Sequence, residues 1–132
     1  MHHTVILLHT LPDGTSHFDW LLDQPGLGIG HRLISFRCAI RPDCAVSSTF
    51  CALRLPDHRA RYLSYEGVVL PDRGRVERVA CGEVFGLEVS SGTISAVIQW
   101  ADDGVAYRGS HDGSKDGVWN FLCHPMDSTL DG

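Results

Sequence analysis

Turn signals at short, regular intervals constrain this chain more than any other feature. Fourteen glycines, several of them in Ser-Gly or Asp-Gly pairs, cut it into apolar runs of strand length. Ser91-Gly92, Asp103-Gly104, Asp112-Gly113 and Asp116-Gly117 read as hairpin turns, because Gly and Asp tolerate the backbone angles that tight hairpins require. Pro12-Asp13-Gly14 reads as another turn, and residues 25–30 as a Gly-rich connector. Strands are expected over residues 4–8, 17–23, 33–38, 52–55, 61–70, 75–80, 84–89, 93–100, 105–108 and 118–123. Residues 41–50 read as a loop with one helical turn, and the end of the chain as a frayed tail. No repeat and no long amphipathic helix interrupts this pattern. The expectation is an all-β fold in one domain spanning residues 1–132: a small closed or partly open β-barrel, or a tight sandwich, with one or two short helical turns. Closure also removes exposed sheet edges.

Charge narrows the function. Eleven basic side chains against 16 acidic ones give a net charge of −5. That excludes a protein that coats polyanions at large, since such binding rests on many Lys and Arg contacts to phosphate. A local cluster gripping one phosphate near a metal remains compatible with it. Five cysteines without a CxxC pair, the nearest being Cys38, Cys44 and Cys51, read as reduced thiols rather than a zinc knuckle. The apolar run at residues 5–8 is too short for a signal-peptide core, and no stretch approaches the roughly 20 apolar residues of a membrane helix. A cytoplasmic location without membrane contact is expected.

Two constellations carry potential chemistry. Strand side chains alternate, so His17, Asp19 and Leu21 share one face, while Phe18, Trp20 and Leu22 share the face expected to enter the core. A hairpin through residues 12–16 brings His9 beside His17 and Asp19. Two imidazoles and a carboxylate form a facial metal site with open positions, suited to manganese, iron or zinc. The same residues also fit a surface hairpin with two ordinary histidines. The second constellation is Asp57-His58-Arg59-Ala60-Arg61-Tyr62. Four residues apart, His58 and Tyr62 share a side; Asp57 can orient the imidazole and Tyr62 can donate to an anion. A polar turn with packing tyrosines is the alternative.

The ordered set His9, His17-Phe18-Asp19, Asp57-His58-x-x-x-Tyr62 and Tyr65-Glu66-Gly67 resembles the 3′-phosphoesterase domain of bacterial and archaeal DNA ligase D, which also occurs as a stand-alone protein. The likeness spans most of the chain and is strict in its first half. It implies a small β-barrel that removes 3′-phosphates, and terminal ribonucleotides, from DNA or RNA ends in end repair of the non-homologous end-joining type. Carried over, His9, His17 and Asp19 hold a divalent metal, most often manganese, with zinc or another transition metal as alternatives. His58 and Tyr62 are the catalytic residues that contact the scissile phosphate. Separate ligase or polymerase proteins are the implied partners.

This chain also departs from the family pattern. Leu21 stands where the family has an arginine, and leucine cannot act as a phosphate fork. Arg54, Arg59, Arg73 and Arg75 are candidates to replace it. The His9-to-His17 spacing is longer than usual, and Val79-Ala80 replaces a Trp-Asp pair. Two further readings follow: a catalytically impaired barrel that binds nucleic-acid ends or a repair partner without turnover, and a metal-dependent hydrolase of another small phosphoester. The remaining histidines read blandly, with His2 and His3 at a disordered terminus, His31 and His111 exposed, and His124 ending the last strand. Trp20, Trp100 and Trp119 are expected in the core.

Overall fold

β1 (His2–Thr10) and β2 (Ser16–Leu22) form a hairpin whose registers run from Thr4↔Leu22 to Thr10↔Ser16. They open a barrel of antiparallel strands in a computed structural model that describes residues 2–24, 32–44, 49–114 and 116–126. The chain continues through β3 (Arg32–Cys38), a 3-10 turn (Pro42–Cys44), β4 (Thr49–Arg59) and a second 3-10 turn (Ala60–Leu63). The remaining strands are β5 (Gly67–Val68), β6 (Arg75–Val89), β7 (Thr93–Gln99), β8 (Gly104–Ser110) and β9 (Val118–Pro125). Neighbours follow the order β1-β2-β3-β4-β9-β8-β7-β6, and β6 pairs back onto β1. Eight strands thus close a small barrel, as the turn spacing predicts; β5 adds only two residues to the other edge of β6.

The interior is aromatic. Trp20, Phe36, Phe50, Tyr107, Trp119 and Phe121 pack together with Ile6, Leu22, Ile34 and Ile98, so the expected Phe18-Trp20-Leu22 face of β2 does point inward. Polar handles in this core are satisfied. Trp20 donates to Thr4 Oγ1 (3.0 Å), which donates to the Leu21 carbonyl (2.7 Å). Trp100 donates to the Tyr107 hydroxyl (3.0 Å), which in turn donates to the carbonyl of buried Pro42 (2.7 Å), tying the first 3-10 turn to β8. All three tryptophans are buried, as expected.

Several local expectations fail for physical reasons. Residues 75–80 and 84–89 are one strand, because Gly82 is not a turn. A Cβ there would lie 2.7 Å from the Gln99 carbonyl, so glycine serves close strand packing across the β6–β7 pair. Residues 61–70 are not a strand. Tyr62, Leu63, Tyr65 and Val69 do not alternate; they fold over the outer face of β1, β2 and β3 and cover Val5, Leu7, Leu21, Leu33 and Val76. β4 is longer than expected at both ends. His2 and His3 belong to β1, paired with Val84 and Glu83, rather than to a loose end. His111 is half-buried: its ring lies 4.5 Å from Trp119 and bonds the Ser91 carbonyl at 3.1 Å. His124 is exposed near the end of β9. The Gly-rich connector at 25–30, His31 and the tail beyond residue 126 lie outside the described residues.

Candidate metal centre

The β1–β2 hairpin builds the first half of the site. Its loop is fixed locally: Leu11 donates to the Thr15 carbonyl, Gly14 to the Leu11 carbonyl, and the Asp13 carboxylate accepts from Thr15. This closure sets the cross-strand pairs His9↔His17 and Leu7↔Asp19. The three side chains emerge on the outer face of the barrel, opposite Trp20. That face is no open surface, because the 60–69 segment covers it; Asp19 is only 2% exposed.

One ligand atom from each of His9, His17 and Asp19 lies within 4.8 Å of the others. Asp19 Oδ2 is 3.1 Å from His9 Nδ1, and Asp19 Oδ1 is 3.0 Å from His17 Nε2. The second contact is close but unaligned, and neither His17 Nε2 nor Asp19 Oδ1 makes a hydrogen bond. Two buried, electron-rich atoms facing each other without a shared proton leave a place for a cation. The His9 ring is oriented from its other side, its Nε2 lying 2.7 Å from the Arg73 carbonyl. A carbonyl only accepts, so Nε2 is the donor to Arg73, and this contact turns Nδ1 toward Asp19 Oδ2, the edge of the ring from which a metal would be bound. Burial pushes the His17 pKa below the usual histidine range; the charges of Arg37 and His9 act the same way and Asp19 opposes them. A neutral His17 is the ligating form. The trio is a site able to chelate a divalent metal.

His9 and Asp19 open onto a cavity of about 980 Å³ that His58 and Tyr62 also line. The two rings meet edge to face, with centroids 5.8 Å apart. A bulge in β4 is the reason His58 reaches this face: between the pairs Ser35↔Leu55 and Leu33↔His58, Pro56 and Asp57 oppose the single residue Ile34. The expected Asp57–His58 pair is not what orients the imidazole. Asp57 instead accepts from Arg54 Nη2 at 2.7 Å, and His58 Nδ1 donates to the Pro56 carbonyl at 3.1 Å. Glu66, in the Tyr-Glu-Gly element, accepts from the Arg78 backbone N–H at 2.9 Å and so pins the covering segment to β6.

Of the sequence candidates to replace the arginine, Arg59 and Arg73 line the cavity. Leu21 is fully buried among Val5, Leu7, Leu33 and Val76, where a guanidinium has no room. Arg54 is committed to Asp57 and lies over the Phe36 ring, and Arg75 does not line the cavity. Arg37, absent from those candidates, stands directly across from Asp19 on β3 and lines the cavity. It is exposed and forms no ion pair among the described residues. Alternation along 33–38 puts Arg37 on the outer face with Leu33 and Ser35. Placing it beside Asp19 needs the β2–β3 register, which the sequence of the intervening connector does not reveal.

Charge in the cavity is balanced without a metal. Arg37, Arg59, Arg61 and Arg73 line it against Asp13, Asp19, Asp57 and Asp72, four charges of each sign, so a divalent ion tips the lining to +2. Arg61 is held over the rings of Tyr65 (4.5 Å) and Tyr62 (5.6 Å). No protein-family model matches this chain, and neither does any curated protein.

Proposed function

We propose that this barrel is a manganese-dependent phosphoesterase that removes 3′-phosphates, and 3′-terminal ribonucleotides, from DNA or RNA ends in the cytoplasm. It would act beside separate ligase or polymerase proteins, in the manner of the ligase D domain that its motifs resemble. The observation that carries this reading is the meeting of two independent sets around one cavity. His9 and Asp19, which line it, and His17 beside them come from the β1–β2 hairpin; Arg37, His58 and Tyr62 line it from β3, the end of β4 and the following turn. The first set has the donors for a divalent metal with open positions; the second has donors for a phosphate.

Each residue has a definable task. A manganese ion held by His9, His17 and Asp19 supplies charge neutralisation and water activation. Arg37 offers a planar fork to two phosphate oxygens in place of the arginine that Leu21 displaces. The Tyr62 hydroxyl donates to an oxygen on which charge develops. With its Nδ1 proton held by the Pro56 carbonyl, His58 presents Nε2 to the cavity; as an imidazolium it protonates the departing 3′-oxygen when the P–O bond breaks. Buried Leu21 favours a second reading, an end-binding module without turnover, in which no arginine completes the phosphate site.

The deciding assay is phosphate release from a duplex with a recessed 3′-phosphate, with manganese, with chelator, and with His17→Ala and Arg37→Ala. Manganese-dependent release, abolished by His17→Ala and cut about 10- to 100-fold by Arg37→Ala, is expected, since hydrogen bonds to charged groups contribute about 1.5–3 kcal/mol. A folded protein that binds manganese and the duplex but releases no phosphate would overturn catalysis in favour of the binding module.

A further inference from the structure

The loop between β5 and β6 is a wall of the cavity and also touches a metal ligand. It is a closed unit: Val69 donates to the Gly74 carbonyl (2.8 Å) and Arg73 donates to the Val69 carbonyl (2.9 Å). Leu70, Asp72 and Arg73 line the cavity. The loop lies hard against the end of β1, where Thr10 pairs with Arg75. Gly74 sits in the left-handed region, at φ +84°, and a Cβ there would meet the Thr10 carbonyl oxygen at 1.9 Å and its carbon at 2.9 Å. Those are backbone atoms of a barrel strand and cannot swing aside. Only glycine allows this approach, and the approach brings the Arg73 carbonyl to 2.7 Å from His9 Nε2.

We propose that Gly74 is a positioning residue for the metal centre: by seating the loop on β1 it places the Arg73 carbonyl to hold the His9 ring by Nε2, with Nδ1 turned toward the centre beside Asp19. The inference rests on the metal-centre reading but not on the reaction assigned to it. The cavity wall and the metal ligand set are therefore one mechanical unit. Lifting the loop removes the acceptor from Nε2 and releases the ring, so that Nδ1 is no longer held toward the centre. The contact of the carbonyl with His9 cannot be read from the sequence, because Arg73 and His9 are 64 residues apart.

The test reads metal affinity and tautomer without any substrate. Calorimetric titration with manganese is run on wild type, Gly74→Ala and Gly113→Ala. Two-bond ¹H–¹⁵N correlation of the histidine rings follows wild type loaded with zinc, which is diamagnetic. Gly113, in the turn between β8 and β9, is the control for backbone strain, having φ +86° but nothing within 4 Å of an added Cβ. Expected are a zinc-loaded His9 protonated on Nε2, a loss of about 10- to 100-fold in manganese affinity for Gly74→Ala, and wild-type affinity for Gly113→Ala. A zinc-loaded His9 protonated on Nδ1, or a Gly74→Ala protein that binds manganese as tightly as Gly113→Ala, overturns the proposal. If Gly74→Ala does not fold, the zinc-loaded wild-type ring decides. A wild type that binds no manganese overturns the metal-centre reading and the proposal together. A manganese-binding wild type that releases no phosphate overturns only the reaction.

Discussion

Asp19→Asn separates a metal ligand from a structural ion pair, because the two roles predict opposite results in metal-free protein. Asp19 is 2% exposed and lies 3.1 Å and 3.0 Å from two imidazole nitrogens. Were this a structural buried pair, removing its anion would cost about 3–5 kcal/mol. An unfolding entropy of about 2.1 cal/mol/K per residue over 132 residues gives about 0.28 kcal/mol/K, so Tm would fall by about 11–18 °C. The contact to His17 is not a hydrogen bond, however, and leaves both atoms without partners. An asparagine can turn its N–H₂ toward His17 Nε2 and satisfy it, so the metal-free variant is expected within about 3 °C of wild type. Manganese at 100 times its Kd stabilises wild type by about 2.7 kcal/mol, a rise of about 10 °C. With affinity reduced about 100-fold, the variant gains only about 0.4 kcal/mol at the same concentration, a rise of about 1–2 °C. Scanning calorimetry of both proteins, with chelator and with manganese, reads all four values. A metal-free Tm lower by 10 °C or more, or a manganese-induced rise equal to that of wild type, would refute the reasoning.

Leu21→Arg is not expected to add a phosphate fork, because position 21 is enclosed by Val5, Leu7, Leu33 and Val76. Denaturant unfolding is expected to show a loss of about 3–5 kcal/mol, and a stable variant with faster phosphate release would contradict the placement. Burial pushes the Cys38 thiol from 9.0 to about 12, with Asp19 adding to the shift. A folded pKa above the unfolded one means that this thiol's contribution is intact below pH 9 and is lost as pH rises through 12. Wild type should therefore lose stability across that window with a slope steeper than that of Cys38→Ala by about 1.4 kcal/mol per pH unit; equal slopes would refute it.

What could be read from the sequence follows how locally each feature is encoded. The hairpin that joins His9 to His17 and Asp19 needs only alternation and one turn, all within residues 9–19, and both are visible. Closure through β6 is less so, because Gly82 reads as a break until the carbonyl of Gln99 is seen beside it. Arg37 beside Asp19 and the Arg73 carbonyl on His9 depend on registers set by distant pairings, which local pattern does not encode. Asp57 is near His58 in sequence, yet the β4 bulge lets the imidazole face the cavity while the carboxylate pairs with Arg54.

The segment most misread from sequence is also the one that makes a site of these residues. Read as a strand, residues 61–70 would have left the outer face of β1, β2 and β3 wet and its two histidines ordinary. Folded instead into a 3-10 turn and two strand residues, the segment lays Tyr62, Leu63 and Tyr65 over Leu7, Leu21 and Leu33. The barrel thereby gains a second apolar cluster outside its wall, and Asp19 sits beside it nearly dry. A carboxylate so desolvated binds a cation more strongly than one in water, since the same separation in a lower dielectric gives a larger Coulomb energy. The cover also carries Tyr62 to the cavity that His9 and Asp19 line. Leu21 follows from the same arrangement: the covered face needs an apolar floor and position 21 supplies part of it, while on the next strand Arg37 stands across from Asp19 and lines the cavity.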